Sequence, residues 1–510
     1  MAQFSAYHWV LLPEISTLFM VSPATSVRTA LFFWLLSVSV GTGYGQTAKK
    51  YAKEVEANIT QVEQNLKRVS NVAGQPAKWT LQERMKYYHA NGVSIAVIKD
   101  YHVEWARAYG LADAAQKRPV TVNTLFQAGS ISKSLHAMGV LKLAQDKRLT
   151  LDADINTYLT SWKFPYDSLA KGKKITLANL LSHTAGLTVH GFPGYEAGTP
   201  LPTLPQLLNG EKPANTAAVR SQYAPGLKYE YSGGGTTISQ LLVQDVTGQP
   251  YDKFMWENVL KPLGMRASSF TQPPADGQRS RLAAGYLKDG TVVRGHYHVY
   301  PEQAAAGLWT TPTDLAAYVI ETQRAWQGKS AKVLSQEMTK RRLTPYVDSL
   351  AGLGVFLMHK RGVAYFQHGG ADEGFVSQYI GSLAGGNGVV VMTNSDNSAL
   401  LEEIINSVAT AYQWKNYYVP ITRTQVPQPT NVLAAYVGKY KMQDDYVAIE
   451  LKKDGLWLAV DKTTAWRMYF SDATHFFVLE EAGNFSMLRD SAGKINAIGV
   501  DNNPIATRVN

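Results

Sequence analysis

Strand-like runs stand at both ends of one long stretch of this chain, with helical patterns between them, and few folds satisfy that order. Val93–Ile98 (VSIAVI), a Lys-Asp turn and Val103–Tyr109 read as a β-hairpin. A mixed region of loops and short helices follows, to about Thr344. Strand patterns return at Gly354–Met358, Ala364–Gln367, Val376–Ile380 and Val389–Thr393, and a helix over Ala399–Tyr412 closes the block. One antiparallel sheet assembled from the two ends, in an α/β or α+β sandwich, is the expected architecture. Ahead of it, Tyr51–Asn91 is polar and helix-like, with Val55, Ile59, Val62 and Leu66 at three- and four-residue spacing.

Two prolines in the polar stretch Gln425–Asn431 mark a linker. Beyond it, Val447, Ile449 and Leu451 alternate up to an Asp454-Gly455 turn, and Leu456, Leu458 and Val460 alternate after it. Strand patterns continue at Phe476–Leu479, Phe485–Leu488 and Ile495–Val500, so a small all-β domain, a barrel or a sandwich, is expected at 433–510. The expected division is a signal segment over 1–45, a helical lead-in over 46–90, a main domain over 91–424 and a linker over 425–432.

The N-terminus bears on compartment. Arg28 precedes the apolar run Thr29–Val40, and small residues follow to Gly45. This has the form of a secretory signal peptide, cleaved after Gly45, with Met20 as a candidate true start. The run falls short of the roughly 18 apolar residues that span a bilayer. An uncleaved anchor is the alternative reading, and both place the catalytic part outside the cytoplasm, periplasmic or secreted. The chain has no cysteine, which removes disulfides, thiolate catalysis and Cys-ligated zinc. Its net charge of +10 comes from scattered basic residues without a nucleic-acid motif, so no nucleic-acid partner is expected.

Three short motifs carry the chemistry. Of three Ser-x-x-Lys pairs, Ser168–Lys171 lies in a loop and Ser491–Lys494 in a turn. Only Ser130–Lys133 opens an apolar-periodic helix, with Leu135, Met138, Leu141, Leu143 and Ala144 on one side. Three-residue spacing on a helix puts both side chains on one face, within reach of each other. A lysine amine kept from water holds its proton less tightly and can serve as a general base. The Ser130 amide, at the helix start, is a candidate oxyanion donor. Tyr231-Ser-Gly233 precedes a second apolar helix, and a phenol near the lysine can pass a proton to a leaving group. His368-Gly-Gly370 follows a strand pattern; the histidine can donate a hydrogen bond or carry charge, and the glycines allow close backbone approach. The Ala371 amide is the second candidate oxyanion donor.

In this order the motifs resemble S-x-x-K, Y-x-N and K-T-G of the penicillin-recognising serine hydrolases. The region Asn91–Asn394 resembles the superfamily of class C β-lactamases, DD-peptidases, D-aminopeptidases and esterases. Leu180-Leu-Ser-His-Thr-Ala-Gly-Leu187, Ala306-Gly-Leu-Trp-Thr-Thr-Pro-Thr-Asp314 and Val391-Met-Thr-Asn394 are typical segments, and Tyr436-Val-Gly-Lys-Tyr440 is similar to the start of the β-barrel domain many members carry. The resemblance implies a β-lactamase/transpeptidase-like sandwich. It implies Ser130 as the acylated nucleophile, Lys133 and Tyr231 as the acid/base pair, and His368 in place of the third-motif lysine. Gly233 stands where an asparagine amide commonly holds an acylamino group, and Gly369 where a threonine hydroxyl helps hold a carboxylate. With Gly370 these are the expected substrate-binding positions, and they argue against efficient β-lactam turnover. The expected protein is an exported serine hydrolase acting through an acyl-enzyme on an ester or amide, a small molecule or peptide, with a cell-wall-derived ligand among the candidates. The alternatives are a slowly acylated or non-catalytic penicillin-binding sensor, a true β-lactamase or a D-Ala-D-Ala carboxypeptidase. No cofactor or metal is implied.

Other residues draw ordinary readings. His183 is expected to make a structural hydrogen bond, and His296 and His298 lack a third metal ligand. Asp372 and Glu373 read as a solvated loop, with the site mouth as the alternative, and Trp457 and Trp466 as core residues of the C-terminal domain, with a substrate or partner surface as the alternative. The chain has no Gly-x-Ser-x-Gly elbow, which counts against an α/β-hydrolase.

Overall fold

A computed structural model describes residues 49–75, 79–442, 445–461 and 463–509. The candidate signal segment, its cleavage site and Met20 lie outside the described residues. Lys50 to the C-terminus forms one compact unit.

The central sheet has seven strands, all paired antiparallel, in the spatial order Arg118–Pro119, His102–Asp113, Gly92–Lys99, Gly388–Thr393, Phe375–Ser382, Val363–Asp372 and Phe356–Lys360. The N-terminal hairpin therefore sits beside the C-terminal strands, joined by the pairing of Val93 with Thr393 through Gly388 with Ile98. The hairpin turns at Asp100 and Tyr101, one residue later than the Lys-Asp reading, and both have positive φ (49° and 65°). Such a turn suits the right-handed twist of paired strands.

Period-two alternation buries both faces of the sheet. Val93, Ile95 and Val97 pack with Val389, Val391, Ile404 and Val408 on one side. Ala96 and Ile98 join Val390, Met392, Val319 and Leu315 on the other. The Ala399–Ala411 helix and the Lys53–Gln64 helix cover the first face; Pro312–Trp326 covers the second. Within the lead-in, the helix ends at Gln64, and a short strand, Ser70–Val72, intervenes before the Leu81–Tyr87 helix. That strand pairs in parallel with Ile421–Arg423, an arrangement no local periodicity signals.

The C-terminal part is a nine-stranded antiparallel sheet, nearly closed into a barrel. Its two edge strands, Ala465–Arg467 and Tyr469–Phe470, are separated only by Met468, so the chain itself brings the edges together. The Asp445–Lys452 and Gly455–Ala459 strands form the expected hairpin around Asp454-Gly455. Val447, Ile449, Leu456 and Leu458 point into the core, but Leu451, at the hairpin's open tip, is 42% exposed. Trp466 packs against that core, whereas Trp457 lies outside it, donating to the Asp454 carboxylate at 2.9 Å with Lys452 over its ring.

A buried ionic cluster ties lead-in, main sheet and barrel together. Glu403, on the helix over the sheet, accepts from Arg84 Nε and Nη2 at 2.7 and 2.6 Å and from the Tyr88 hydroxyl at 2.8 Å. Arg68 lies 3.6 Å from the same carboxylate and 3.7 Å from Glu480 in the barrel. Removing the shared anion leaves the Arg84 guanidinium buried without its counter-charge and Arg68 with Glu480 alone. Glu403→Ala is expected to lower unfolding stability by about 3–5 kcal/mol, measured by denaturant titration.

Candidate active site

Ser130 sits in a single 3-10 turn, Gly129–Ile131, that runs directly into the Ser132–Gln145 helix. The helix proper thus starts two residues later than the motif. It is also not one-sided: every residue from Ser132 to Leu141 is buried. The Gly233–Thr247 and Gln303–Ala306 helices and the segment around Val259 surround it, which gives each of its faces a partner. Its polar residues are satisfied inside. Ser134 Oγ donates to the Gly354 carbonyl at 2.8 Å, and the His136 ring lies between the Tyr251 hydroxyl (3.0 Å) and Ser239 Oγ (2.9 Å).

Lys133 Nζ lies 2.9 Å from Ser130 Oγ and donates to the Ala305 carbonyl at 2.8 Å. It also lies 4.9 Å from the centroid of the Tyr231 ring, on the aromatic face that attracts a cation. The nucleophile, the amine and the phenol named from sequence therefore share one site.

The third motif is not a turn after a strand. Val363–Asp372 continues through it, with His368, Gly369 and Gly370 opposite Tyr379, Gln378 and Ser377. The close backbone approach that the glycines allow is made to the turn that carries Ser130. A Cβ on Gly370 would lie 1.9 Å from the Ala128 carbonyl oxygen, and one on Gly129 would lie 2.5 Å from the Ala371 amide nitrogen. Gly129 also has φ of +51°, which favours glycine. Two backbones meet here with no side chain between them. This contact places the Ala371 amide beside the turn that carries Ser130.

His368 Nδ1 is 2.6 Å from the Gly369 carbonyl oxygen, and its ring lies 4.8 Å from that of Phe356. A carbonyl only accepts, so Nδ1 carries the hydrogen and Nε2 is left as an acceptor. Burial pushes the imidazolium pKa down to about 3, with the charge of Lys133 acting in the same direction. The third motif therefore presents a neutral ring, and of the two roles open to His368 from sequence the hydrogen-bonding one fits this geometry. His183 is similarly held neutral by burial, its pKa well below the ordinary value. Its Nδ1 accepts from the Ser232 amide at 3.3 Å and its ring lies 4.2 Å from that of Tyr231. The structural hydrogen bond expected of His183 thus falls on the second motif.

Asp372 is buried and ends the strand, with Phe375 paired opposite and Gly374 at φ +79° completing a tight hairpin. The solvated-loop reading of Asp372 is corrected by that pairing. Burial raises its carboxyl pKa well above the ordinary range and lifts that of Glu302, at the start of the Gln303–Ala306 helix, to about 8. His298 Nδ1 lies 2.8 Å from the Pro193 carbonyl and His296 3.7 Å from Asp113. Among the described residues no cluster of His, Asp or Glu could hold a metal ion. Phe356 and His190 were not singled out from sequence. Phe356 reads as one more apolar strand residue, and His190, whose Nδ1 is 2.5 Å from the Tyr231 carbonyl, lies in a loop without a pattern.

Residues 78–410 match the family described as Beta-lactamase, and the chain belongs to that family. It is 25% identical to Protein flp of Staphylococcus aureus (strain N315) over 264 residues, 51% of this chain and 49% of that protein. It thus spans about half the length of that relative. It is 25% identical over 372 residues to the putative penicillin-binding protein PbpX of Bacillus subtilis (strain 168), covering 71% of this chain and 82% of that one. Among solved structures it resembles the octameric penicillin-binding protein homologue from Pyrococcus abyssi, with a TM-score of 0.59, 20% identity and coverage of 82% and 93%. D-alanine carboxypeptidase AmpC from Burkholderia cenocepacia aligns with a TM-score of 0.53 and 19% identity over 71% and all of the two chains.

Two outcomes are expected from this geometry. Gly370→Ala forces the strand off the Ala128 carbonyl and is expected to abolish Ser130 reactivity toward a fluorophosphonate while the fold persists by circular dichroism. The imidazoles of His136 and His368, both with pKa pushed down to about 3 by burial, and that of His183 are expected to stay neutral from pH 8 to pH 5. Their carbon-13 ring signals should not move over that range. Unfolding releases each to protonate near pH 6.5, so their contribution to stability is present above that pH and is lost as pH falls below it.

Proposed function

We propose that the protein is an exported serine hydrolase that cleaves a carboxylic ester or amide through an acyl-enzyme on Ser130. The observation that carries this reading is the 2.9 Å approach of Lys133 Nζ to Ser130 Oγ, with the Ala305 carbonyl fixing a second direction of the amine. Once Lys133 has given up a proton, its amine keeps one N–H on that carbonyl and can turn its lone pair to the hydroxyl. Ser130 Oγ attacks the acyl carbon and gives its proton to Lys133, and the Ser130 and Ala371 amides stabilise the tetrahedral oxyanion. Tyr231, against the amine, passes the proton to the leaving alcohol or amine as its bond to carbon breaks. Water then adds to the acyl carbon, the Ser130 ester bond breaks, and acid and free hydroxyl are regenerated.

Esters and simple amides rank above β-lactams as substrates. Gly233 and Gly369 supply no side-chain polar contact, and the neutral His368 supplies no positive charge for a carboxylate. The apolar run before Gly45 supports export.

The test is intact-protein mass after mixing with a fluorophosphonate and, separately, a penicillin. A fluorophosphonate adduct on the wild type and none on Ser130→Ala is the expected result. No adduct on either would defeat the reading. A long-lived penicillin adduct would instead favour a penicillin-binding sensor.

A further inference from the structure

The second motif is bound to the loop that precedes it. Gly233 N–H donates to the His190 carbonyl at 3.2 Å, Gly234 N–H to Val189 at 2.9 Å, and Ser232 Oγ to Thr188 at 3.0 Å. With the His190 ring on the Tyr231 carbonyl, residues 188–190 and 231–234 hold each other in place. The next residues of this loop bring Phe192 against Gly233. A Cβ on Gly233 would lie 2.8 Å from Phe192 Cε2 and 3.2 Å from the His190 carbonyl oxygen. The place where many relatives carry an asparagine is therefore closed by an aromatic ring, itself half-buried and half open. Phe356, also half-buried, lies near Tyr231 at 6.4 Å, Tyr229 at 6.3 Å and His368 at 4.8 Å between ring centroids.

Lys133 and Arg342 are the cations that act on His368. Lys133 is engaged by Ser130 and Ala305, and Arg342 is fully buried, donating to the Ser134 carbonyl and the Tyr318 hydroxyl.

We propose that Phe192 and Phe356 form an aromatic acyl-binding wall that selects esters of uncharged aryl or arylalkyl acids over acylamino or carboxylate-bearing acyl groups. This rests on the serine hydrolase reading above. A flat ring against Phe192 and Phe356 removes apolar surface from water on both partners and favours offset or edge-on stacking. An acylamino group in the same place loses water from its N–H and C=O and gains no side-chain partner at Gly233 or Gly369. A carboxylate loses its hydration there, and Lys133 and Arg342 are already engaged by other partners.

The test compares 4-nitrophenyl esters of acetic acid, phenylacetic acid, N-acetylglycine and succinic acid, which share one leaving group. Values of kcat/KM are measured for the full chain and for Phe192→Ala and Phe192→Leu. The phenylacetyl ester is expected to exceed the N-acetylglycyl and hemisuccinyl esters by roughly tenfold or more. Phe192→Ala is expected to reduce the phenylacetyl-to-acetyl ratio roughly tenfold, with Phe192→Leu between the two. If Phe192→Ala loses the wild-type circular dichroism spectrum, Phe192→Leu decides. An unchanged ratio, or preference for either polar acyl group, overturns the wall. A fluorophosphonate adduct on Ser130 separates the two failures. With the adduct, a flat ratio or no ester turnover removes the wall alone. Without adduct or turnover, the hydrolase reading fails and takes the wall with it.

Discussion

The site depends on a contact between two stretches of bare backbone. The Ala128–Ser130 turn meets the strand at Gly370–Ala371 with no side chain between them, at separations that a single Cβ would not allow. Sheet register fixes the strand, since Gly370 is opposite Ser377, whose Oγ donates to the Ala128 carbonyl at 2.9 Å. The turn is fixed by the buried helix that follows it. Lys133 then has one place for its amine, beside Ser130, because that helix sets its Cα and the Ala305 carbonyl takes one N–H. Thus two glycines and a strand register determine the position of Ser130, which neither glycine contacts through a side chain.

Much of this was legible in the sequence. The strands at the two ends of the main region alternate apolar residues at a period of two, and the sheet forms where that pattern stands. Ser130, Lys133 and Tyr231 were legible because three-residue spacing on a helix and a motif before a second helix are local signals. Other features depend on distant partners. Ser70–Val72 is a strand only because Ile421–Arg423 lies beside it. Asp372 reads as a solvated loop until Phe375 is paired across from it. Phe192 looks like any loop phenylalanine until hydrogen bonds from the second motif place its ring at Gly233.

Electrostatics divide the site into two parts. Around Ser130 and Lys133 there is an amine with designated acceptors. Around His368 and His183 burial removes charge from both imidazoles, leaving them as flat neutral surfaces beside Tyr231 and Phe356. A histidine held neutral by burial offers a lone pair and an apolar face together, which a lysine at the same position cannot. A neutral His368 therefore leaves this part of the site without the charge that a lysine would bring.

The sheet's assembly from both chain ends also has a temporal meaning. The Gly92 carbonyl accepts from the Thr393 hydroxyl, 301 residues further along the chain. Strand Gly92–Lys99 lacks its inner neighbour until Gly388–Thr393 has been made, and closing so long a loop carries an entropy cost that local contacts cannot cancel. Ser130 and Lys133 can meet early, across one turn and the helix it runs into, but the Gly370 strand that completes their surroundings arrives late. While residues 131 to 371 are being made, a growing chain of this protein therefore carries Ser130 without the Gly370–Ala371 backbone that packs against its turn.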